Sequence, residues 1–76
     1  MNTTAIDPLT LPSLSLSQRK QLPSICAVYF VLHENEVVYV GRSNVLKQRW
    51  ESHHRLKEFN SLPSEVRVAW LICDSP

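Results

Sequence analysis

One apolar run constrains the fold of this 76-residue chain more than any other feature. Residues 24–32 read SICAVYFVL, with apolar side chains at odd and even positions and many β-formers among them. A strand that is apolar on both faces must be covered on both sides, which is typical of the centre of a sheet. The chain is therefore predicted to fold around this strand.

A second strand follows almost at once. The polar link HEN separates the apolar run from VVYVG, residues 37–41, and so short a link predicts an antiparallel hairpin. A three-residue loop, 33–35, with a left-handed Asn35, places Tyr29 directly opposite Tyr39. A four-residue loop would put the two phenols on opposite faces, because a shift of one residue reverses every side chain. We favour the three-residue loop and expect two neighbouring tyrosines.

The N-terminal segment has a different character. Residues 1–16 are rich in serine and proline and are predicted to be an extended or disordered arm. Ser15 or Ser17 can then cap a short helix that Pro23 ends, because proline disfavours helical backbone in the residue before it. Residues 17–76 are expected to form the domain.

A main helix and a third strand complete the prediction. Gly41 is expected to turn the chain out of the second strand, and the helix then runs to about Phe59 with Ser43 or Asn44 as its N-cap. Residues 65–73, EVRVAWLIC, alternate as a strand. The expected fold class is α/β in the broad sense, more narrowly α+β: a three-stranded antiparallel sheet with one main helix and one short helix.

Composition and charge limit the classes of protein only loosely. The net charge is +1, so any interaction with nucleic acid must come from a local cluster of basic residues. The sequence has neither the roughly 18 apolar residues of a transmembrane helix nor the basic start and apolar block of a signal peptide. A cytoplasmic location is expected. Cys26 and Cys73 lack metal-binding spacing and are interpreted as reduced core thiols, with a disulfide or a shared metal as the alternative.

Helical periodicity gives the main helix an apolar side that contains two polar residues. Arg49 and His53 fall one turn apart on it. The apolar members of this side are Val45, Leu46 and Leu56. The simple interpretation is an arginine that reaches an edge to pair with a carboxylate, and a hydrogen-bonded core histidine. The alternative is that both meet Tyr29 and Tyr39 at a sheet edge, where they could bind phosphate and transfer a proton.

The same region concentrates positive charge. Segment 42–57 holds five of the eight basic residues and one acid, Glu51. The basic residues are Arg42, Lys47, Arg49, Arg55 and Lys57, and His54 adjoins them. This cluster predicts a nucleic-acid-binding surface. The alternative is a solvated helix face with ordinary ion pairs, such as Glu51 with Arg55.

These residues together resemble a known family. AVY at 27–29 and YVG at 39–41 are similar to the paired tripeptides of the GIY-YIG nucleases, which lie on adjacent strands about ten residues apart. The family then has a helix with an arginine, followed one turn later by a histidine or tyrosine, and Arg49 and His53 match that pattern. The resemblance covers about residues 24–73 and rests on the ordered set Y–x9–YVG–x7–R–x3–H.

The resemblance implies metal-assisted hydrolysis of DNA phosphodiesters, with roles in repair or recombination among relatives. By position, Tyr29 or Tyr39 would activate the attacking water, and we favour Tyr29 as the base with Tyr39 as its partner. Arg49 would hold the scissile phosphate, His53 would orient a tyrosine or relay a proton, and Mg²⁺ would polarise the phosphate.

The sequence also departs from the family. Ala27 replaces the first glycine, and the metal-binding glutamate, which the family carries on a helix after the third strand, has no counterpart before Pro76. The chain is therefore expected to be C-terminally incomplete and inactive alone, with its second sheet face covered by the short N-terminal helix, by a further C-terminal helix or by a second copy. The alternatives are a module that binds nucleic acid without cutting it, and an α/β module for protein contacts.

Overall fold

The predicted central strand lies inside an antiparallel sheet. In the computed structural model, which describes residues 7–53 and 55–73, the strands are β1 (Ser13–Ser15), β2 (Ala27–His33), β3 (Glu36–Ser43) and β4 (Val66–Ile72). Their order is β1-β4-β2-β3, so β2 pairs with β4 on one side and β3 on the other. The central position of SICAVYFVL is therefore confirmed, as is the α+β class.

An edge strand lies where an arm was predicted. Residues Ser13–Ser15 pair antiparallel with β4, and Leu14, opposite Val68, packs against the core. Three strands were predicted, but the described residues form a sheet of four strands. The prediction of a three-stranded sheet is therefore wrong. Three residues are too few to show a period, and β1 exists because the edge of β4 offers it a ladder of hydrogen bonds. Residues 1–6 of the predicted arm lie outside the described range.

The short N-terminal helix is present, as a 3-10 helix at Leu16–Gln21. Ser15 stands at its N-cap position without a capping side-chain bond, and Pro23 follows its C-cap, Leu22. A second 3-10 turn, Pro8–Thr10, precedes β1. Leu16 and Leu22 are both buried in the core, so the longer 3-10 helix covers the same face of the sheet as the main helix does.

The hairpin between β2 and β3 closes with two residues. Glu34 and Asn35 both have positive φ, 53° and 67°, the pair of left-handed residues that a type I′ turn needs. His33 pairs with Glu36, so the predicted three-residue loop is wrong. Asn35 takes the left-handed conformation as expected, and the second left-handed residue, Glu34, was not foreseen.

A β-bulge in β3 then corrects the orientation of Tyr39. Leu32 lies opposite Val37 but Val31 lies opposite Tyr39, so Val38 is the extra residue. Without that residue, the two-residue turn would place Tyr39 opposite Phe30, on the other face of the sheet. The bulge returns Tyr39 to the face of Tyr29. The prediction that Tyr29 and Tyr39 are neighbours on one face is confirmed. The prediction that they lie directly opposite each other in the sheet is wrong.

The predicted main helix is broken into two. Helix α1 covers Leu46–Glu51 and helix α2 covers Leu56–Asn60, and at Ser52 the backbone leaves the helical region with φ −148° and ψ 43°. The predicted caps, Ser43 and Asn44, are also wrong, because Val45 is the N-cap.

Backbone from another segment satisfies the start of α1 instead. The N–H of Leu46 donates to the carbonyl of Ile25 at 2.8 Å, and that of Lys47 donates to the carbonyl of Pro23 at 3.2 Å. Free N–H groups at a helix start need such partners. The position of α1 is therefore fixed by the segment that enters β2.

The core lies between one face of the sheet and the helices. Its largest fully buried side chains are Trp50, Phe59, Leu46, Val31 and Val68. Within residues 7–53 and 55–73, no helix is long and apolar enough to span a membrane.

Candidate active site

Gly41 supports the site from within β3. It was predicted to turn the chain, but it lies inside the strand with an ordinary backbone conformation, so that prediction is wrong. Gly41 lies opposite Tyr29. A Cβ at this position would lie 2.9 Å from Tyr29 Cε1 and closer still to Cζ and Oη. Glycine is required here because the phenol ring lies directly against the backbone of the neighbouring strand.

Tyr29 and His53 form a buried hydrogen-bonded pair. Tyr29 Oη lies 2.9 Å from His53 Nε2, and the two residues are only 3% and 4% exposed. The backbone N–H of Arg55 donates to His53 Nδ1 at 3.1 Å, so Nδ1 carries no proton. The neutral imidazole must then carry its proton on Nε2 and donate it to Tyr29 Oη. In this arrangement His53 orients the phenol and does not accept a proton from it.

Aromatic rings enclose the imidazole. The Trp50 ring stacks on His53 with centroids 4.3 Å apart and planes inclined by 13°. Tyr39 meets His53 edge-on at 5.3 Å, and its centroid lies 6.2 Å from that of Tyr29. Phe59 closes the cluster from α2, 5.8 Å from the imidazole. The two tyrosines and the histidine of the predicted site are thus brought together in one apolar environment.

Trp50 is the residue that the sequence interpretation missed. Its side chain is fully buried, and its indole Nε1 has no hydrogen-bond partner. The signal was present, since Leu46 and Trp50 are four residues apart and both are buried. The sequence-based prediction gave the buried side of the helix to Arg49 and assigned no role to Trp50.

Arg49 lies on the outer surface of α1. It is exposed, so the predicted stacking of Arg49 over His53 on one buried side is wrong. A continuous helix would have stacked them, but the chain leaves the helix at Ser52 and turns His53 inward. Arg49 instead borders an open polar depression. Its other lining residues are Ser43, Asn44, Val45, Gln48 and Ser52.

Arg49 still acts electrostatically on the buried tyrosine. Burial raises the pKa of Tyr29, and the neighbouring Tyr39 raises it further, whereas the positive charge of Arg49 opposes both. The net effect is a raised pKa. Tyr29 is therefore a neutral phenol at physiological pH, and it becomes a base only if the phenolate gains further stabilisation.

Arg55 is committed to local contacts. Its guanidinium donates to both carboxylate oxygens of Glu58, at 3.1 and 2.6 Å, and lies 4.9 Å from the centroid of the Tyr39 ring. The anticipated pairing of Glu51 with Arg55 is wrong, because the break after α1 removes the helical spacing. Arg55 shields the outer side of the aromatic cluster and offers little free charge to an anion.

The other predicted nucleic-acid contacts are dispersed. Arg42 and Lys57 are exposed, on β3 and α2, and Lys47 is half-buried on α1. His54 lies outside the described residues. These side chains do not share one element, and Arg49 is the cationic residue whose charge acts on Tyr29.

The polar groups of the site do not fit Mg²⁺. Residues 7–53 and 55–73 contain no group of three His, Cys, Asp or Glu side chains that could hold a metal ion. Magnesium requires oxygen ligands, commonly carboxylates, whereas this cluster offers phenols, an imidazole and a guanidinium. No glutamate of the site takes the metal-binding role that the resemblance implies.

Comparisons with protein-family models, with curated proteins and with solved structures found no match for this chain. The resemblance to the GIY-YIG nucleases therefore rests on the residues quoted above.

Proposed function

We propose that this chain is a GIY-YIG endonuclease-like domain that binds the phosphodiester backbone of DNA at Arg49, beside the Tyr29–His53 pair. Because its described residues offer no ligand set that fits Mg²⁺, we expect the chain to bind DNA without cutting it. We expect hydrolysis of DNA only from a form of the domain that also contains a metal-binding carboxylate.

One observation carries the proposal: the hydrogen bond between Tyr29 Oη and His53 Nε2. Tyr29 and His53 are 24 residues apart and come from a strand and from the break between two helices. The bulge that follows the type I′ turn and the interruption of the helix bring them, with Tyr39, into one cluster. The residues that meet are the two tyrosines, the glycine and the histidine of the ordered set Y–x9–YVG–x7–R–x3–H, whereas its arginine, Arg49, lies on the outer surface of α1.

Each group has a distinct part in the proposal. Arg49 supplies a guanidinium that can donate two parallel hydrogen bonds to a phosphate, and the serine, asparagine and glutamine side chains of its depression add further polar contacts. His53 holds the Tyr29 hydroxyl in one orientation. Tyr29 would accept a proton from water only as the phenolate, which Arg49 and the His53 N–H both favour.

A second function is favoured by the burial of the pair. Tyr29 and His53 are more than nine-tenths buried, as expected for polar groups that hold a core together by hydrogen bonding each other. In that case the chain is an α+β module for protein contacts, and the resemblance reflects packing alone. Binding of DNA at low salt separates the two functions, because only the first requires it.

Fluorescence anisotropy with a labelled DNA duplex tests the proposal. We expect binding that weakens steeply with salt, since phosphate contacts release counterions. Arg49→Ala should weaken it by roughly tenfold and reduce the slope of log K against log salt by about one. Lys20→Ala removes an exposed positive charge from the 3-10 helix, which contributes no lining residue to the depression, and serves as the matched control.

Plasmid nicking in the presence of Mg²⁺ completes the test. We expect none from the chain alone. Nicking that is lost in Tyr29→Phe would contradict the expectation of binding without cutting. Equal binding by the Arg49→Ala and Lys20→Ala variants, or no binding at low salt, would overturn the assignment of the phosphate to Arg49.

A further inference from the structure

The two cysteines of the chain meet at one end of the sheet. Cys26 directly precedes β2 and Cys73 directly follows β4, and Ala27 lies opposite Ile72, so the register brings the cysteines opposite each other. The N–H of Cys73 donates to the carbonyl of Cys26 at 3.1 Å, which extends the antiparallel pairing to this position. Such a pair has Cα atoms about 5.5 Å apart, within the range of about 4.4–6.8 Å that a disulfide spans.

The thiols themselves are in contact, and neither residue is fully buried. The two Sγ atoms lie 2.9 Å apart, and both residues are half-buried at the end of the sheet, so the expectation that they are core thiols is wrong. The hydrogen bond to Cys73 and partial desolvation raise the pKa of the Cys26 thiol, whereas Arg42 opposes the rise. Because neither cysteine is fully buried, we expect a soluble thiol reagent to reach this pair without unfolding of the chain.

We propose that Cys26 and Cys73 are a modification site, at which a reversible intramolecular disulfide forms by exchange with a low-molecular-weight disulfide such as oxidised glutathione. One cysteine thiolate attacks a glutathione sulfur and releases one glutathione thiolate. The second cysteine thiolate attacks the mixed disulfide and releases the other. Two electrons pass from the cysteine sulfurs to glutathione, and the two thiol protons end on the two glutathione molecules released.

The disulfide would restrain the segment that enters β2, on which the start of α1 depends. The carbonyls of Pro23 and Ile25, just before Cys26, accept the first hydrogen bonds of α1. Joining Cys26 to Cys73 ties this segment to the end of β4. The disulfide would therefore restrain the start of α1, the helix that carries Arg49 and Trp50.

Oxidation of the purified full chain with oxidised glutathione tests the proposal. The chain has two cysteines, so an intramolecular disulfide has one possible pairing. We expect a monomer that has lost two hydrogen atoms by mass, no longer reacts with iodoacetamide, and returns to the dithiol with dithiothreitol. Closing so long a loop should raise Tm by roughly 10 °C.

Cys26→Ser and Cys73→Ser are the matched controls. Each should carry one glutathione adduct after oxidation and show no comparable rise in Tm. A wild-type chain that carries two glutathione adducts, or that forms mainly disulfide-linked dimers, would overturn the proposal. These readouts need no DNA, so their failure is distinguishable from failure of the proposed DNA binding.

Discussion

The two faces of the sheet differ in what covers them. On one face, Tyr29, Val31 and Val68 are closed off by the 3-10 helix Leu16–Gln21, α1 and α2. On the other, Val28 and Phe30 are half-buried and Val40 is 55% exposed. Every member of the Tyr29–His53 cluster lies on the covered face, so stability and the candidate chemistry depend on the same packing.

The open face keeps the pattern that the sequence predicted for β2. The even-numbered residues of β2 are apolar, and the turn Pro8–Thr10 contacts β4. A second copy of the chain, or a further helix on this face, stays a prediction. Substitutions on the two faces should accordingly have very different costs, and the following predictions run from the largest to the smallest.

Trp50→Ala should have the largest effect. It removes a fully buried ring that packs on His53 and Tyr29, and such truncations cost about 3–5 kcal/mol of unfolding free energy. Phe30→Ala, on the half-open face of β2, is the control and should cost clearly less. Urea unfolding followed by circular dichroism measures both. Equal losses would show that the open face is covered in solution.

The hairpin shows how far the sequence could predict the site. Alternation along β2 and β3 correctly put Tyr29 and Tyr39 on one face, although the turn and the register were both wrong. The predicted three-residue loop and the observed two-residue turn with its bulge differ by an even shift, which leaves every side chain on the same face. A bulge depends on local twist and cannot be read from the alternation of VVYVG.

The helical segment shows where sequence prediction failed. Periodicity over 43–59 assumed one axis, and a single break at Ser52 was enough to send Arg49 outward and His53 inward. The break accompanies one local contact, the stacking of Trp50 on His53, and one tertiary contact, the hydrogen bond from His53 to Tyr29. The sequence around Ser52 contains no glycine or proline that would predict the break.

Gly41→Ala should have the second-largest effect. The new methyl group would overlap the phenol of Tyr29, at a cost of about 1–3 kcal/mol. Replacing a glycine within a strand by alanine stabilises the fold by only about 0.5–1 kcal/mol. The cost of the steric overlap should exceed this gain. Val40→Ala, at the adjacent exposed position, is the control for the strand. The cost of Gly41→Ala should shrink when Tyr29 is replaced by leucine, and an unchanged cost would contradict the overlap.

Alkaline pH should destabilise the covered face through Tyr29. Burial raises the pKa of Tyr29 in the folded chain above its unfolded value, so the folded state holds the proton more tightly. The resulting stability is fully present below about pH 10 and is lost as the pH rises through the folded pKa. Tm measured from pH 8 upward should fall more in the wild type than in Tyr29→Phe. Parallel curves for the two chains would contradict the raised pKa.

Glu58→Gln should have the smallest effect, although its ion pair has the shortest distance near the site. Arg55 and Glu58 side chains are 35% and 58% exposed, and such pairs contribute about 0–1 kcal/mol because water screens them. Glu51→Gln removes the same charge from α1 and is the control. The difference between the two variants should vanish in high salt. A loss of unfolding free energy above about 1 kcal/mol would mean that Glu58 holds Arg55 over the Tyr39 ring. Contacts on the outer side of the cluster would then matter as much as those at its buried centre.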